Sequence, residues 1–359
     1  MATAPDPQPG ILEIDLYQGG ASSLPGVDDV LKLSSNENPA GPPESAIDAA
    51  RDAVGAMHLY PPTDHARLRA AIAEVHGLDP DRVICGVGSD EVLHLLAQAY
   101  VGPGDEVVHP EHGFLVYPIV TRAAGGVPVL APERSRRVDV DAILAATTER
   151  TRLVMLANPA NPTGTAIGGQ DVVRLADGLP EGCLLVLDGA YAEYSDDLDG
   201  ALRLAGERDN VFVTRTFSKM YGLGGMRVGW GYGARSVIDV LNRIRGPFNL
   251  SGPALAAAEA AMRDRAFVLR CDAENRAQRA RLTAGLRDLG LSVDDSEANF
   301  VLARFASEAE ARACDAALKA RGVIVRHVAS YGLPEALRIT VGDAAGVDRV
   351  LEGVAAWAK

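Results

Sequence analysis

The chain has 359 residues, of which 47% are hydrophobic and 23% charged, and it carries a net charge of −13 at pH 7. This is an ordinary globular composition, and the length allows two or three domains. The acidic balance and the lack of any run rich in lysine or arginine exclude a protein that binds nucleic acid through a basic surface.

The N-terminal segment, residues 1–43, is rich in proline and glycine and is predicted to form an extended arm. Its first ten residues have neither the positive nor the apolar region of a signal peptide, and no apolar run in the chain approaches the ~20 residues of a membrane span. We therefore expect the protein to stay in the cytoplasm. The four cysteines are widely scattered and no histidine clusters with them, so we expect reduced thiols and no metal site.

Helical stretches alternate with short apolar runs from residue 44 to residue 252. Several runs are rich in valine and leucine without polar alternation, which is typical of strands buried on both faces. The alternation predicts an α/β large domain with a mostly parallel central sheet and helices on both faces. The predicted strands are Arg82–Val87, Glu106–His109, Val127–Leu130, Arg152–Leu156, Leu184–Leu187, Val211–Thr214 and Arg227–Trp230.

The pattern changes at about residue 253, where a long helical stretch, Pro253–Gly290, begins. Three short apolar runs follow, with a helix between the first two and another helix at the end of the chain. This order predicts a smaller α+β domain, residues 253–359, which the long helix joins to the first domain. The predicted strands are Phe300–Ala303, Val323–Arg326 and Leu337–Val341.

The stretch Thr216–Gly229 places Lys219 directly after a predicted strand. Hydroxyls of Thr216 and Ser218 flank the lysine, and Arg227 follows eight residues later. A lysine can form a Schiff base with an aldehyde, and the hydroxyls and arginine can bind a phosphate on that aldehyde. Taken alone, the stretch favours an exposed lysine in a glycine-rich loop, and it is the motifs upstream that favour the cofactor lysine instead.

The next predicted strand upstream, the apolar run Leu184–Leu187, is followed directly by an acid, Asp188. This is where α/β proteins place ligand groups. Pyridoxal 5′-phosphate (PLP), an aldehyde cofactor, needs a carboxylate against its pyridine nitrogen, and Asp188 is the candidate. Tyr191 could reach the ring's 3′ oxygen. The alternative is that Asp188 only caps a helix.

Two Asn-Pro steps follow strand Arg152–Leu156 and force a fixed, non-helical path. This path can present the amide of Asn161 to an oxygen on the cofactor ring. The alternative is a tight loop with asparagines at turn positions.

The strand Arg82–Val87 ends in Gly88, Ser89 and Asp90, which open a helix. A glycine, a hydroxyl and free backbone N–H groups at a helix start form a site suited to phosphate. The acids Asp90 and Glu91 would lie close to that dianion, so their side chains are expected to point away.

Along the chain, the four motifs are the helix start at Gly88, the Asn-Pro loop with Asn161, Asp188 with Tyr191, and Ser218-Lys219 with the trailing arginine. In that order, and each after a strand, they resemble the motifs of fold-type I PLP-dependent aminotransferases. The resemblance extends over residues 30 to 345. It implies that Lys219 binds the cofactor covalently and acts as general base and acid, and that the reaction is an amino transfer in two steps.

Within that superfamily the chain is most similar to the histidinol-phosphate aminotransferase family. The segment Lys32–Pro39, which contains Asn36, resembles its N-terminal signature. Tyr60 resembles a tyrosine that reaches the cofactor phosphate of the other subunit, which implies a homodimer. Phe114 stands where the family often has a tyrosine against the cofactor ring, so this chain departs from the pattern there.

The segment Leu337–Gly342 resembles the motif that carries the family's substrate arginine, here Arg338. A buried arginine is costly without an anion, and its planar fork suits a carboxylate or a phosphate. Arg326 is a second candidate, and Tyr17 in the arm could close over the substrate. The resemblance implies L-histidinol phosphate and 2-oxoglutarate as the substrates.

Three alternatives share some of these features. Relatives with the same motifs act on aromatic amino acids, and others are PLP-dependent lyases or decarboxylases of phosphorylated amino acids. A PLP-binding regulator would need a DNA-binding unit, for which an arm of about 30 non-basic residues is too short.

Overall fold

The structure, a computed structural model, describes residues 5–17, 19–196 and 200–359. Its β-strands are β1 (Leu31–Lys32), β2 (Val83–Gly86), β3 (Glu106–Pro110), β4 (Val127–Ala131), β5 (Thr151–Ala157), β6 (Leu184–Asp188), β7 (Val211–Thr216), β8 (Gly229–Tyr232), β9 (Ser292–Val293), β10 (Phe300–Arg304), β11 (Val323–Ile324), β12 (Arg326–His327) and β13 (Ala336–Thr340).

The α-helices of the described residues are α1 (Glu44–Val54), α2 (Ala66–His76), α3 (Gly88–Tyr100), α4 (Val116–Ala123), α5 (Val140–Ala146), α6 (Gly169–Gly178), α7 (Gly200–Glu207), α8 (Arg235–Ile244), α9 (Gly252–Arg263), α10 (Arg265–Asp288), α11 (Glu308–Lys319) and α12 (Ala344–Trp357). None of them is long and apolar enough to span a bilayer.

A seven-stranded sheet forms the centre of the larger part, in the order β2-β8-β7-β6-β5-β3-β4. All of its strands are parallel except β8. Along β5, Leu153 and Met155 face one apolar core while Val154 and Leu156 face another. Helices therefore cover both faces, and the predicted α/β fold with a mostly parallel sheet is confirmed.

The edge strand β4 departs from the prediction of strands buried on both faces. Val127 is 49% exposed and Leu130 is 59% exposed. Because β4 has only β3 as a neighbour in the sheet, its apolar side chains are only partly covered in the described chain.

The sheet brings the predicted motifs to one edge. Strands β5, β6 and β7 are parallel neighbours, so Ala157, Asp188 and Thr216 all end at the same side. Strand β2 runs parallel to β7 because both are antiparallel to β8. The start of α3, at Gly88, therefore lies at that side as well, as expected for a ligand site in an α/β sheet.

The smaller part contains an antiparallel sheet in the order β12-β13-β10-β9. The predicted strand Val323–Arg326 is divided there into β11 and β12. Strand β1 of the N-terminal arm pairs in parallel with β11, and Leu33 packs into the core of this part. The arm is thus attached to the smaller part by backbone hydrogen bonds and apolar packing.

The predicted long helix Pro253–Gly290 is in fact two helices, α9 and α10, separated at Asp264. The Asp264 carboxylate accepts a hydrogen bond from the Phe267 N–H at 3.0 Å and so caps the second helix. Helix α9 packs into the core of the larger part, whereas Leu282 and Leu286 of α10 pack into the second core. The predicted division is an arm (1–43), a large domain (44–252) and a small domain (253–359), and it stays a prediction. Because α9 packs into the core of the larger part, we propose that the boundary between the two domains lies at Asp264.

Candidate active site

A cavity of about 350 Å³ opens where the sheet edge, the arm and the smaller part meet. It brings together most of the side chains predicted for the cofactor and the substrate. These are Tyr17, Asn36, Ser89, Asp90, Phe114, Asn161, Asp188, Tyr191, Thr216, Ser218, Lys219, Arg227, Arg326 and Arg338.

Lys219 lies three residues beyond the end of β7, and its amine points into the cavity. The Nζ atom donates a hydrogen bond to the Ser35 carbonyl at 3.0 Å and lies 5.9 Å from the centre of the Tyr191 ring. Burial, followed by the positive charge of Arg338, lowers the pKa of Lys219 to about 8. A substantial fraction of the amine is therefore neutral near physiological pH, as a nucleophile toward an aldehyde must be.

Asp188, the last residue of β6, is buried and accepts hydrogen bonds from three neutral donors. These are the Tyr117 hydroxyl at 3.1 Å, the Thr214 hydroxyl at 3.2 Å and the Ala190 N–H at 3.2 Å. Burial, with a smaller contribution from Asp90, raises the pKa of Asp188 to about 6. An anion held by neutral donors suits a protonated pyridine nitrogen, so the residues present fit the ring of PLP.

The phosphate end of the site is formed by Arg227, Ser218 and the start of α3. Arg227 Nη1 donates to Ser218 Oγ at 3.3 Å. Gly88 has a φ of +75°, a conformation in which other residues are strained, and a Cβ atom there would lie 2.7 Å from Arg227 Nη2, so the guanidinium would have to shift. Guanidinium, hydroxyl and helix N-terminus together are a donor set suited to a phosphate dianion.

The expectation that Asp90 points away from this end was wrong. Its carboxylate pairs with Arg227 Nη2 at 3.3 Å, because α3 begins beside the guanidinium. Glu91 does point away, since its carboxylate accepts from the Val87 N–H at 2.6 Å. A bound phosphate would therefore compete with Asp90 for Arg227.

The ring-oxygen candidates are held by polar contacts that tie the arm to the large domain. Asn36 donates from Nδ2 to the Tyr191 hydroxyl at 2.9 Å, so it positions Tyr191 as well as lining the cavity. Burial raises the pKa of Tyr191, which keeps its phenol protonated. Phe114 stands edge-on to Tyr117, with ring centres 5.8 Å apart.

Arg338 is buried in β13 and contacts neutral groups. Its Nη1 donates to Asn161 Oδ1 at 2.5 Å and its Nη2 to the Ser34 carbonyl at 2.9 Å. Its Nε has no hydrogen-bond partner within the described residues. A guanidinium that lines a cavity and contacts only neutral acceptors in this way is suited to an anion brought by the substrate.

Arg326 lies directly across from Arg338 in the β12–β13 pair and also lines the cavity. Its Nη1 donates to the Gly19 carbonyl at 2.7 Å, which links it to the arm. Tyr17, also in the arm, is 55% exposed at the same cavity. Two guanidinium groups and an arm tyrosine thus face the space where a substrate would enter.

Tyr60 does not reach the cavity of its own chain. It is 80% exposed, and its ring stacks on Phe248 with centres 4.4 Å apart. The role predicted for Tyr60 is at the site of a second subunit, and it stays a prediction.

Sequence reasoning missed several residues of the site. Tyr117, which donates to Asp188 from the first turn of α4, follows Phe114 by three residues, and its closeness to that predicted ring contact in the sequence could have indicated it. Ser35, whose carbonyl accepts from Lys219, belongs to the arm signature. Tyr331 lines the cavity from a 3₁₀ turn, and no local pattern indicates it.

Residues 28–354 match the family described as aminotransferase class I and II, and the chain belongs to this family. Its predicted resemblance to PLP-dependent aminotransferases of fold type I is confirmed. Two similar relatives are both named histidinol-phosphate aminotransferase. The protein of Dinoroseobacter shibae is 66% identical over 351 residues, covering 98% of this chain and 97% of the relative. The protein of Ruegeria pomeroyi is 63% identical over 351 residues, which also cover 98% of this chain and 97% of the relative.

Among solved structures, the histidinol-phosphate aminotransferase from Sinorhizobium meliloti in complex with pyridoxal-5′-phosphate superposes with a TM-score of 0.91. It is 29% identical, and the match covers 99% of this chain and 98% of that one. The similarity therefore extends over both parts of the chain and the arm.

We expect Arg338→Lys to raise the Michaelis constants of both the amino donor and the 2-oxo acid by about 10-fold or more. Lysine keeps the charge but loses the planar fork that can bind an anion while still contacting Asn161 and Ser34. Steady-state kinetics with each substrate varied in turn measure the effect. Arg349→Lys, in a surface pair with Asp29, is the matched control. Unchanged kinetics with a clear drop in melting temperature would make Arg338 a structural residue, and Arg326 would then be the leading candidate.

Proposed function

We propose that this protein transfers the amino group of L-histidinol phosphate to 2-oxoglutarate, with PLP as its cofactor, as a step of histidine biosynthesis. The observation that carries the proposal is the identity of more than 60% over nearly the whole chain to relatives named for this activity. The cavity supports it, since it offers groups for an aldehyde, a pyridine ring, a phosphate and a substrate anion. A location in the cytoplasm stays a prediction.

PLP, when bound, supplies the electron sink that stabilises negative charge at the substrate's Cα. Lys219 would hold the aldehyde of PLP, and its amine, when free, is the group placed to take up and return a proton at the substrate's Cα. Asp188 would keep the pyridine nitrogen protonated. Asn161 and Tyr191 are the candidates for the ring oxygen, and Phe114 is the candidate to pack against the ring.

At the other end, Arg227, Ser218, Thr216 and the backbone N–H groups at the start of α3 would hold the cofactor phosphate. These groups are separate from Lys219, so they would keep the cofactor in position independently of the lysine.

The two arginines of the β12–β13 pair are proposed to bind the substrate anion. Arg338 and Arg326 would meet the phosphomonoester of histidinol phosphate in one half-reaction and a carboxylate of the 2-oxo acid in the other. Tyr17 would close over either substrate from the arm.

Single half-reactions test this function directly. Holoenzyme is mixed with one amino donor at a time, and the cofactor absorbance is followed. Fast, complete conversion of the cofactor by L-histidinol phosphate, with slow conversion by phenylalanine and tyrosine, is the expected result. Faster conversion by an aromatic amino acid would favour the aromatic aminotransferase, and loss of carbon dioxide or phosphate from the donor would favour a decarboxylase or lyase.

A symmetric homodimer with shared sites is also proposed, and the surface around Tyr60 supports it. Met57, Leu59 and Tyr60 are each more than 60% exposed, and Phe248 beside them is 44% exposed. A cluster of exposed apolar side chains of this kind marks an interaction surface.

Mixed subunits test whether Tyr60 completes the neighbour's site. Lys219→Ala and Tyr60→Phe chains are expected to regain activity when mixed, because one hybrid site then carries neither change. Turnover of the mixture, compared with that of each variant alone, measures the recovery. Subunit exchange is followed separately by labelling one chain. Exchange without any recovery would show that each site is built from one chain.

A further inference from the structure

The ion pair between Lys32 and Glu37 reaches the active-site cavity through its glutamate and has no part in the chemistry described above. Lys32 Nζ and Glu37 Oε1 are 2.6 Å apart, with side-chain exposures of 29% and 51%. Glu37 lines the cavity itself. Because the pair is in contact with water it contributes little to stability, so a substrate group could draw either partner away at little cost.

The path of the arm explains why these two charges meet at this rim. Lys32 is held in β1 by its pairing with Ile324. Asn36 adopts a left-handed conformation, with a φ of 57°, and is held there by its contacts with Tyr191 and other buried groups. The chain bends at Ser34 and Ser35 before this residue, and Glu37 directly after it contacts Lys32.

The same segment touches the groups proposed to bind and convert the substrate. The Ser34 carbonyl accepts from Arg338, and the Ser35 carbonyl accepts from Lys219. Glu37 follows two residues later, and its charge acts on the Lys219 amine. These contacts fix the backbone that carries Glu37 relative to both Arg338 and Lys219.

Three carboxylates of the described residues line the cavity: Glu37, Asp90 and Asp188. Asp188 is buried against neutral donors and is proposed to serve the cofactor ring, and Asp90 pairs with Arg227 at the proposed phosphate end. Glu37 is the one that remains available to a substrate side chain.

We propose that the Lys32–Glu37 pair recognises the side chains of the two substrates, one partner for each. Glu37 accepts a hydrogen bond from an imidazole N–H of the amino donor, and Lys32 pairs with the side-chain carboxylate of glutamate or 2-oxoglutarate. This inference rests on the proposed function. An imidazole with a pKa of about 6.5 is partly cationic near neutral pH and attracts a carboxylate, whereas an unpaired Glu37 would repel glutamate. The ion pair therefore allows one cavity to bind both the imidazole of the amino donor and the side-chain carboxylate of glutamate or 2-oxoglutarate.

Opposite effects on the two half-reactions are the expected result. In single-turnover experiments with holoenzyme, Glu37→Gln should raise the apparent dissociation constant of L-histidinol phosphate by about 10-fold and lower that of glutamate. Lys32→Met should do the reverse. The matched controls are Glu308→Gln and Lys319→Met, which change ion pairs on α11 whose residues do not line the cavity and should alter neither constant.

A donor that carries phenyl in place of imidazole, 2-amino-3-phenylpropyl phosphate, separates recognition from a general disturbance of the site. The penalty of Glu37→Gln should disappear with this donor, because it has no ring N–H to lose. Equal penalties for both donors, or no penalty for either, would overturn the inference while leaving the proposed function intact. Failure of the wild-type holoenzyme to convert L-histidinol phosphate would instead reject the proposed function, and this inference with it.

Discussion

Lys219→Ala is expected to abolish turnover while the protein still binds PLP. The variant lacks the amine proposed to hold the aldehyde and to move the proton, whereas Arg227, Ser218 and Asp188, which are proposed to hold the cofactor, remain. Loss of activity by several orders of magnitude, with a cofactor that can be removed by dialysis, is the measurable result. In wild-type protein, borohydride reduction should attach the cofactor to Lys219 irreversibly.

The chain offers a clear control, because it contains only three other lysines, Lys32, Lys319 and Lys359. Peptide mapping that found the reduced cofactor on any of these would reject the assignment. The lowered pKa of Lys219 gives a second check. Since the neutral amine is the nucleophile, the rate at which apoprotein captures PLP should rise with pH through about 8 and then level off.

Asp188→Asn is expected to reduce turnover by about 10²–10³-fold, the cost of losing one preorganised electrostatic partner of a reacting group. Asparagine has nearly the same shape and can still accept from Tyr117 or Thr214, but it cannot keep a proton on the pyridine nitrogen. Rates of the isolated half-reactions, together with the dissociation constant of PLP, measure the loss. The proton-transfer step should slow much more than cofactor binding weakens.

The melting temperature of the Asp188→Asn apoprotein separates this effect from misfolding. Burial raises the pKa of Asp188 to about 6, so the ionised carboxylate is less favourable in the folded protein than in water at neutral pH. The asparagine variant should therefore lose little stability. A large drop in melting temperature, with kinetics that recover on cooling, would identify Asp188 as a structural residue.

The apolar runs predicted the seven strands of the large sheet and their order along the chain. Their valine- and leucine-rich character reflects burial between two layers of helices, which is a local signal. The exception is β4. Its sequence is apolar, yet Val127 and Leu130 are exposed at the edge of the sheet. The sequence of a strand shows how apolar it is, but only the order of the strands in the sheet determines which strand lacks a second neighbour.

Contacts between distant residues were not predictable in this way. The stretch Pro253–Gly290 reads as one helix because it has helical residues throughout, yet Asp264 ends one helix and caps the next. The carboxylate of Asp90 was expected to avoid the phosphate end, and it pairs with Arg227, which is 137 positions away in the chain.

The sequence by itself determined the fold class, the family, the lysine that is expected to hold the cofactor and the side chains that meet in one cavity. It could do so because each motif directly follows a strand, and parallel strands end at a common edge. Only the tertiary structure decided that Tyr117 donates to Asp188, that Arg326 lies opposite Arg338 on the neighbouring strand, and that Glu37 pairs with Lys32. These pairings depend on sheet register, helix packing and the attachment of the arm, which are set by burial over the whole chain.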